Sequence, residues 1–281
     1  MADNDLIVVI PGIMGSTLRR NGTEVWSSKL ATMLAALATL FRNIRELELP
    51  DGIGDHAPDD GIRAATLMPS LHVIPGLWSP IRGYEILIRR LQAVCTRIGK
   101  NQPPNCRGLN PIVFPYDWRL SNRYSARLLK IYAESALSRW RDCAPQNREA
   151  EIIFVCHSMG GLVARWYMSH EGGASLTRKL VTLGTPYRGS MKALAVLADG
   201  PIPILGRFGE SLHRTVLSFP SVHQLLPSYA CVERGTDLEY LIDQPDSPLP
   251  SAVRHDAANF YGDLEAAEAA DTISAPKRLW G

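Results

Sequence analysis

No stretch of this chain reaches the ~18 consecutive apolar residues of a membrane-spanning helix. The nearest candidate, "LATMLAALATLF" from Leu30 to Phe41, is short and broken by threonines. It reads as an amphipathic or interfacial helix, or equally as a core-facing one, and no transmembrane segment is expected. An excess of charge of one sign is also missing. The formal net charge is +2, and no lysine- or arginine-rich run is present. Nucleic-acid binding and a polybasic membrane anchor therefore have no electrostatic basis. The N-terminus enters the apolar "LIVVI" without a basic region and a long apolar stretch, so no secretory signal is expected. The five cysteines (95, 106, 143, 156 and 231) form no C-x-x-C pair, and their odd number argues against a complete disulfide framework. A reduced, cytoplasmic protein is the default expectation, with peripheral contact to a membrane left open. No Cys/His cluster has zinc-ligand spacing, and no metal or other cofactor is expected.

What is present is an ordinary globular composition, 46% apolar and 21% charged over 281 residues. That suits one large α/β domain with insertions or two small ones. "LIVVI" (6–10) reads as a buried strand ended by Pro11-Gly12. Helical spacing follows over 83–97, a short strand in "NPIVFPYDW" (110–118), and a helix over 122–140. Strand "EIIFVC" (151–156), helix 160–169 and strand "KLVTLGTP" (179–186) come next. Such alternation predicts a mostly parallel, doubly wound sheet. From Asp199 the pattern loses its strands and becomes rich in proline. The expected organisation is a core over 1–198 with inserted loops at 20–70, a cap or lid over 199–250, and a helical tail over 251–281. Within that tail, 257–270 reads as a surface helix.

"FVCHSMGGLVARWYM" (154–168) joins an apolar strand to a helix through a turn of small residues. Its "CHSMG" is a G-x-S-x-G nucleophile elbow with Cys156 in the first glycine position, and Ser158 is the candidate nucleophile. Cysteine is small and often buried, so it can fill that place. The competing explanation, a serine that merely caps a helix, does not account for the strand before it. His157 is expected to pack beside the elbow rather than act as base. An oxyanion hole needs two backbone N–H groups aimed at the developing charge. Met159 follows the nucleophile and Ile13 lies in the turn after the first strand, so these are the candidates. Leu77, in the similar turn "VIPGLWSP" (73–80), is the alternative to Ile13.

"VVIPGIMGSTL", "FPYDWRLS" (114–121), "VCHSMGGLVARWYM", "LVTLGTPYRGSMKAL" (180–194) and "PSVHQLLPSY" (220–229) occur in this order. Together they resemble the lecithin:cholesterol acyltransferase-like family of α/β-hydrolases over roughly residues 6 to 230. The resemblance implies an α/β-hydrolase fold with a cap. It also implies acyl transfer from a lipid or other ester through an acyl-enzyme on Ser158, to water or to an alcohol. A lipid substrate would also suit a surface resting on a membrane. Asp117 in "PYDWR" is expected to form an internal ion pair with Arg119 rather than serve as the catalytic acid.

The chain order of such a triad is serine, then acid, then histidine. The family's acid comes from a "G-D-G-T-V"-like stretch with the histidine beyond it, and neither pattern is found here. His255 and His223 are the candidate bases and Asp243 the candidate acid. The last core strands are expected to be missing, as in a truncated member. Three readings stay open: a fragment of a lipid acyltransferase or lipase, an enzyme with a relocated histidine, or a non-catalytic module that binds lipid or protein.

Overall fold

The computed structural model describes residues 4–27, 45–68, 70–71, 81–82, 84–98, 102–200 and 207–274. The stretch 30–41 and Leu77 lie outside the described residues. The strands, in chain order, are β1 (Leu6–Ile10), β2 (Ser16–Arg20), β3 (Thr23–Trp26), β4 (Ile62–Leu67), β5 (Ser70–Leu71), β6 (Ile81–Arg82), β7 (Ile112–Val113), β8 (Ile152–His157), β9 (Thr177–Leu183), β10 (Val232–Arg234) and β11 (Asp237–Glu239). The α-helices are α1 (Tyr84–Ile98), α2 (Asn122–Cys143), α3 (Gly160–His170), α4 (Met191–Asp199), α5 (Arg207–Leu217), α6 (Pro220–His223) and α7 (Ser251–Ser274).

The organising element is a four-stranded parallel sheet in the order β7-β1-β8-β9. Leu6, Val8, Val9 and Ile10 of β1 are essentially inaccessible to solvent. A strand covered on both faces needs the continuous apolar run that "LIVVI" supplies. Each such side chain contributes about 1.5–3 kcal/mol on burial. Helix α2 packs against α3, and its first turn is capped by the Ser121 hydroxyl, which accepts from Arg123 N at 3.1 Å.

Four local readings of the sequence change. The inserted region 20–70 is not only loop: β2 is the centre strand of a three-stranded antiparallel sheet, β3-β2-β4. Its hairpin turns at Asn21 and Gly22, whose φ values of 49° and 84° are those a two-residue primed turn demands. Strands also return after Asp199, as the short antiparallel pair β10–β11. Helix α7 lies at the surface but packs one face inward, with Val253, Ala257, Phe260, Tyr261 and Leu264 buried. The Phe260 ring stacks on Trp166 of α3 at 5.2 Å, and Arg123 of α2 pairs with Asp256 at 2.6 Å. Finally, Cys106 and Cys143 form a disulfide, with Cα atoms 5.4 Å apart across a separation of 37 residues, while Cys95, Cys156 and Cys231 are free. Sequence spacing does not reveal a pairing created by folding the 102–109 loop onto the end of α2. Among the described residues, no helix is long and apolar enough to cross a membrane.

Candidate active site

Strand β8 ends at His157 and α3 begins at Gly160, so the chain must reverse direction within two residues. Ser158 makes that reversal with φ of 49°, in the left-handed region that a residue with a Cβ seldom adopts. Backbone strain of this kind costs about 1–3 kcal/mol and persists only where the surroundings hold it. Here Ser158 N donates to the Leu183 carbonyl at 2.9 Å. The Ser158 carbonyl accepts from Gly161 N at 3.0 Å and from the Thr185 hydroxyl at 2.8 Å. Thr185 belongs to the "GTP" that follows β9, which gives that motif a job at the elbow.

The glycines after the serine answer to space. A Cβ on Gly160 would lie 2.5 Å from the Pro11 carbonyl oxygen, and one on Gly161 would lie 2.1 Å from the Thr185 hydroxyl oxygen. Cys156 has no such constraint. It is a regular β8 residue paired in register with Ile10, fully buried, and burial pushes its thiol well above the usual range. The position therefore accepts a small neutral side chain without glycine's freedom.

The turn Pro11–Gly15, after β1, lies directly against the elbow. A Cβ on Gly12 would sit 2.9 Å from the Ser158 Cβ and 2.8 Å from His157 Nδ1. The Tyr116 hydroxyl donates to the Pro11 carbonyl at 3.0 Å, and Trp26 Nε1 donates to the Met14 carbonyl at 3.3 Å. Gly12 N donates to the Tyr84 hydroxyl at 2.9 Å, and Gly15 N to the Gly12 carbonyl at 3.0 Å. Met14 is held at φ of 61°. Among the described residues, the N–H groups of Ile13 and Met159 meet no acceptor, although Ile13 is 8% and Met159 0% exposed. Met14 N in the same turn likewise meets no acceptor among the described residues, and Met159 immediately precedes α3, where helix N–H groups have no intrahelical partner.

The histidines are placed as follows. His157 Nδ1 is 2.7 Å from the Tyr84 hydroxyl. That hydroxyl also accepts from Gly12 N. Burial lowers the His157 pKa and keeps the ring neutral. Among the described residues, no hydrogen bond joins this ring to the Ser158 hydroxyl. His223 donates from Nε2 to the Leu217 carbonyl at 2.7 Å, and its pKa is lowered by burial. His255 lies exposed on α7, with Nδ1 2.8 Å from the Ser251 carbonyl one turn back. Asp243 is exposed in the short 3₁₀ turn Leu241–Asp243. Among the described residues, no hydrogen bond joins the Ser158 hydroxyl to any of these groups. The structure thus brings Ser158, Ile13 and Met159 together and leaves His223, His255 and Asp243 in separate local contacts.

Asp117 forms the internal ion pair expected of it. Arg119 donates to Asp117 through Nε at 2.9 Å and through a terminal nitrogen at 2.7 Å. The same guanidinium reaches Asp60 at 2.9 Å and the Leu47 carbonyl at 3.1 Å, and Arg119 is wholly buried. Burial alone would lower its pKa; the bonds and charges of Asp117 and Asp60 outweigh that and hold it above the ordinary value. Trp118, between the two, donates from Nε1 to the Ser16 carbonyl at 3.1 Å.

Beside the Ile13 turn runs a narrow apolar cleft lined by Ile13, Met14, Trp118, Val196, Val216 and Phe219, among others. The surface it exposes is apolar. Sequence reasoning placed Tyr84 on a helix face but missed its hydroxyl contacts, which no local motif announces across 72 residues. Among the described residues, no three His, Cys, Asp or Glu side chains gather as a metal site requires.

Comparison with known proteins adds three matches. The family model described as lecithin:cholesterol acyltransferase matches residues 81–244. A GPI inositol-deacylase of Candida albicans (strain SC5314 / ATCC MYA-2876) is 28% identical over 166 residues, 56% of this chain and 41% of that protein. The chain thus spans well under half the length of that curated relative. A chain in the crystal structure of the Tle4-Tli4 complex matches with a TM-score of 0.56 at 18% identity, over 94% of this chain and 72% of that one. That last likeness is one of fold, and the parallel sheet flanked by helices is of the α/β-hydrolase kind.

Proposed function

The chain belongs to the lecithin:cholesterol acyltransferase family, and we propose that it handles lipid esters by taking an acyl group onto Ser158 and passing it to water or an alcohol. In this reading the Ser158 hydroxyl attacks the ester carbonyl, and the carbonyl oxygen gains charge as the tetrahedral intermediate forms. The Ile13 and Met159 amides receive that charge. Loss of one such donor slows comparable reactions by about 10²–10³. The apolar cleft beside Ile13 takes the acyl chain. The observation that carries the reading is the left-handed Ser158 at the strand-to-helix turn, pressed against the Gly12 turn that carries Ile13.

A fluorophosphonate probe tests it. Ser158 Oγ bonds to phosphorus as fluoride leaves and the serine proton is lost. The wild-type protein is expected to be labelled at Ser158, and Ser158→Ala to abolish the label. A folded wild-type sample that stays unlabelled overturns the reading.

One observation favours a second reading: the Ser158 hydroxyl has no histidine hydrogen-bonded to it among the described residues. On that reading the chain is a lipid- or protein-binding module of catalytic ancestry. Binding to phosphatidylcholine vesicles that is the same for wild type and Ser158→Ala, without labelling, would support it.

A further inference from the structure

The turn that carries the Ile13 amide has several N–H groups, and its neighbours take two of them. Gly15 N is taken by the Gly12 carbonyl, and Gly12 N by the Tyr84 hydroxyl. Tyr84 opens helix α1, is 2% exposed, and sets its ring edge-on to His157 with centroids 5.6 Å apart. One hydroxyl therefore accepts from the turn and shares a hydrogen bond with Nδ1 of His157, the residue before Ser158. A Cβ on Gly15 would stand 3.1 Å from the same oxygen, so the turn is wrapped closely around it.

We infer that Tyr84 is a positioning residue for the oxyanion hole. Its hydroxyl bridges the Pro11–Gly15 turn and the elbow, fixes their separation and holds in place the turn that carries the Ile13 amide. Tyr84 touches neither substrate nor Ser158; it acts through Gly12 and His157. The inference rests on the acyl-enzyme reading, because only a developing oxyanion gives an aligned Ile13 amide something to do. Without the bridge, Gly12 N competes for the same acceptor and the turn is free to swing. A misplacement of about 1 Å in such a donor costs up to 10²-fold in rate.

Tyr84→Phe keeps the ring and removes only the bridge. With p-nitrophenyl butyrate, its kcat is expected to fall about 10- to 100-fold, as for a misplaced donor and less than the roughly 10²–10³ for a donor lost outright, with KM little changed. Affinity for a trifluoromethyl ketone, whose hemiketal oxygen mimics the oxyanion, should fall in parallel with kcat/KM. Fluorophosphonate labelling of Ser158 should slow by a similar factor. Tyr132→Phe serves as control, since it removes a hydroxyl that is bonded to the Val113 carbonyl instead, and it should leave all three readings at wild-type level. If Tyr84→Phe does not fold, 3,5-difluorotyrosine at position 84 preserves shape and changes only hydroxyl acidity, and the rate must then shift with it. A wild-type protein that reacts at Ser158 and a Tyr84→Phe protein that reacts equally well overturn this inference alone. A folded wild-type protein that does not react at all overturns the acyl-enzyme reading and this inference with it.

Discussion

Replacing Arg119 with methionine removes the one cation that two buried carboxylates share. Asp117 and Asp60 both bond to that guanidinium, and their side chains are 9% and 19% exposed. Methionine matches the length of the aliphatic stem but offers neither a donor nor a charge. Breaking a buried pair by removing one partner costs about 3–5 kcal/mol, most of it the penalty for the stranded charge. The unfolding entropy of a chain of 281 residues is roughly 0.6 kcal/mol per kelvin, from about 2.1 cal/mol/K per residue. Tm should therefore drop by about 5–8 °C, read by circular dichroism or calorimetry at pH 7. Adding Asp117→Asn to the same protein removes one stranded charge and should restore part of the loss. The double variant should then be more stable than the sum of the single changes by at least ~0.5 kcal/mol. A shift under about 2 °C, or strict additivity, would refute the argument that the "PYDWR" segment is held by this ion pair.

The strain at Ser158 makes glycine the better replacement, against its usual cost. Ser158→Gly should be more stable to urea than Ser158→Ala by about 1 kcal/mol, because only the alanine keeps a Cβ in the left-handed region; equal midpoints would contradict the strained elbow. Burial lowers the pKa of both His157 and His223, so the unfolded chain binds their protons more readily than the folded one. Stability should be level above pH ~7 and decline as pH falls through the unfolded histidine value of about 6.5, and a urea midpoint that rises on acidification would be the wrong sign. Reduction of the Cys106–Cys143 bond opens a loop of 37 residues, which by chain entropy should lower stability by about 4 kcal/mol; identical denaturation with and without dithiothreitol would exclude the cross-link.

Much of the sheet and the elbow could be read in advance because each depends on a local pattern. "LIVVI" and "IIFVC" are apolar throughout, as strands covered on both faces must be, and the small residues after Ser158 mark a place where chains touch. The Asp117–Arg119 pair was legible because both partners lie in one short motif. The β2–β3–β4 sheet was overlooked although Asn21-Gly22 is a strong hairpin signal, since its third strand returns only at Ile62. The buried face of α7 was also legible in principle: Val253, Ala257, Phe260, Tyr261 and Leu264 follow helical spacing, but the many alanines and acids around them obscured it. Tyr84 could not be read at all. A tyrosine at the head of an amphipathic helix looks like core, and only the folded chain shows a hydroxyl between the Gly12 amide and His157.

Arg123 also bears on the order in which the molecule can assemble. Its guanidinium is 10% exposed, lies over the rings of Trp166 and Phe260, and bonds to Asp256 across a separation of 133 residues. A ribosome adding about 5–20 residues per second makes Arg123 roughly 7–27 s before Asp256 exists. During that interval Phe260 is absent too, and the nearest carboxylate already made is Asp55, 3.7 Å away in the finished fold. The sheet strands from β1 to β9 can pair while this cation still lacks its main counter-charge. Closure of α7 over Trp166 thus comes after the sheet strands have been made, and Arg123 is the residue that waits for it.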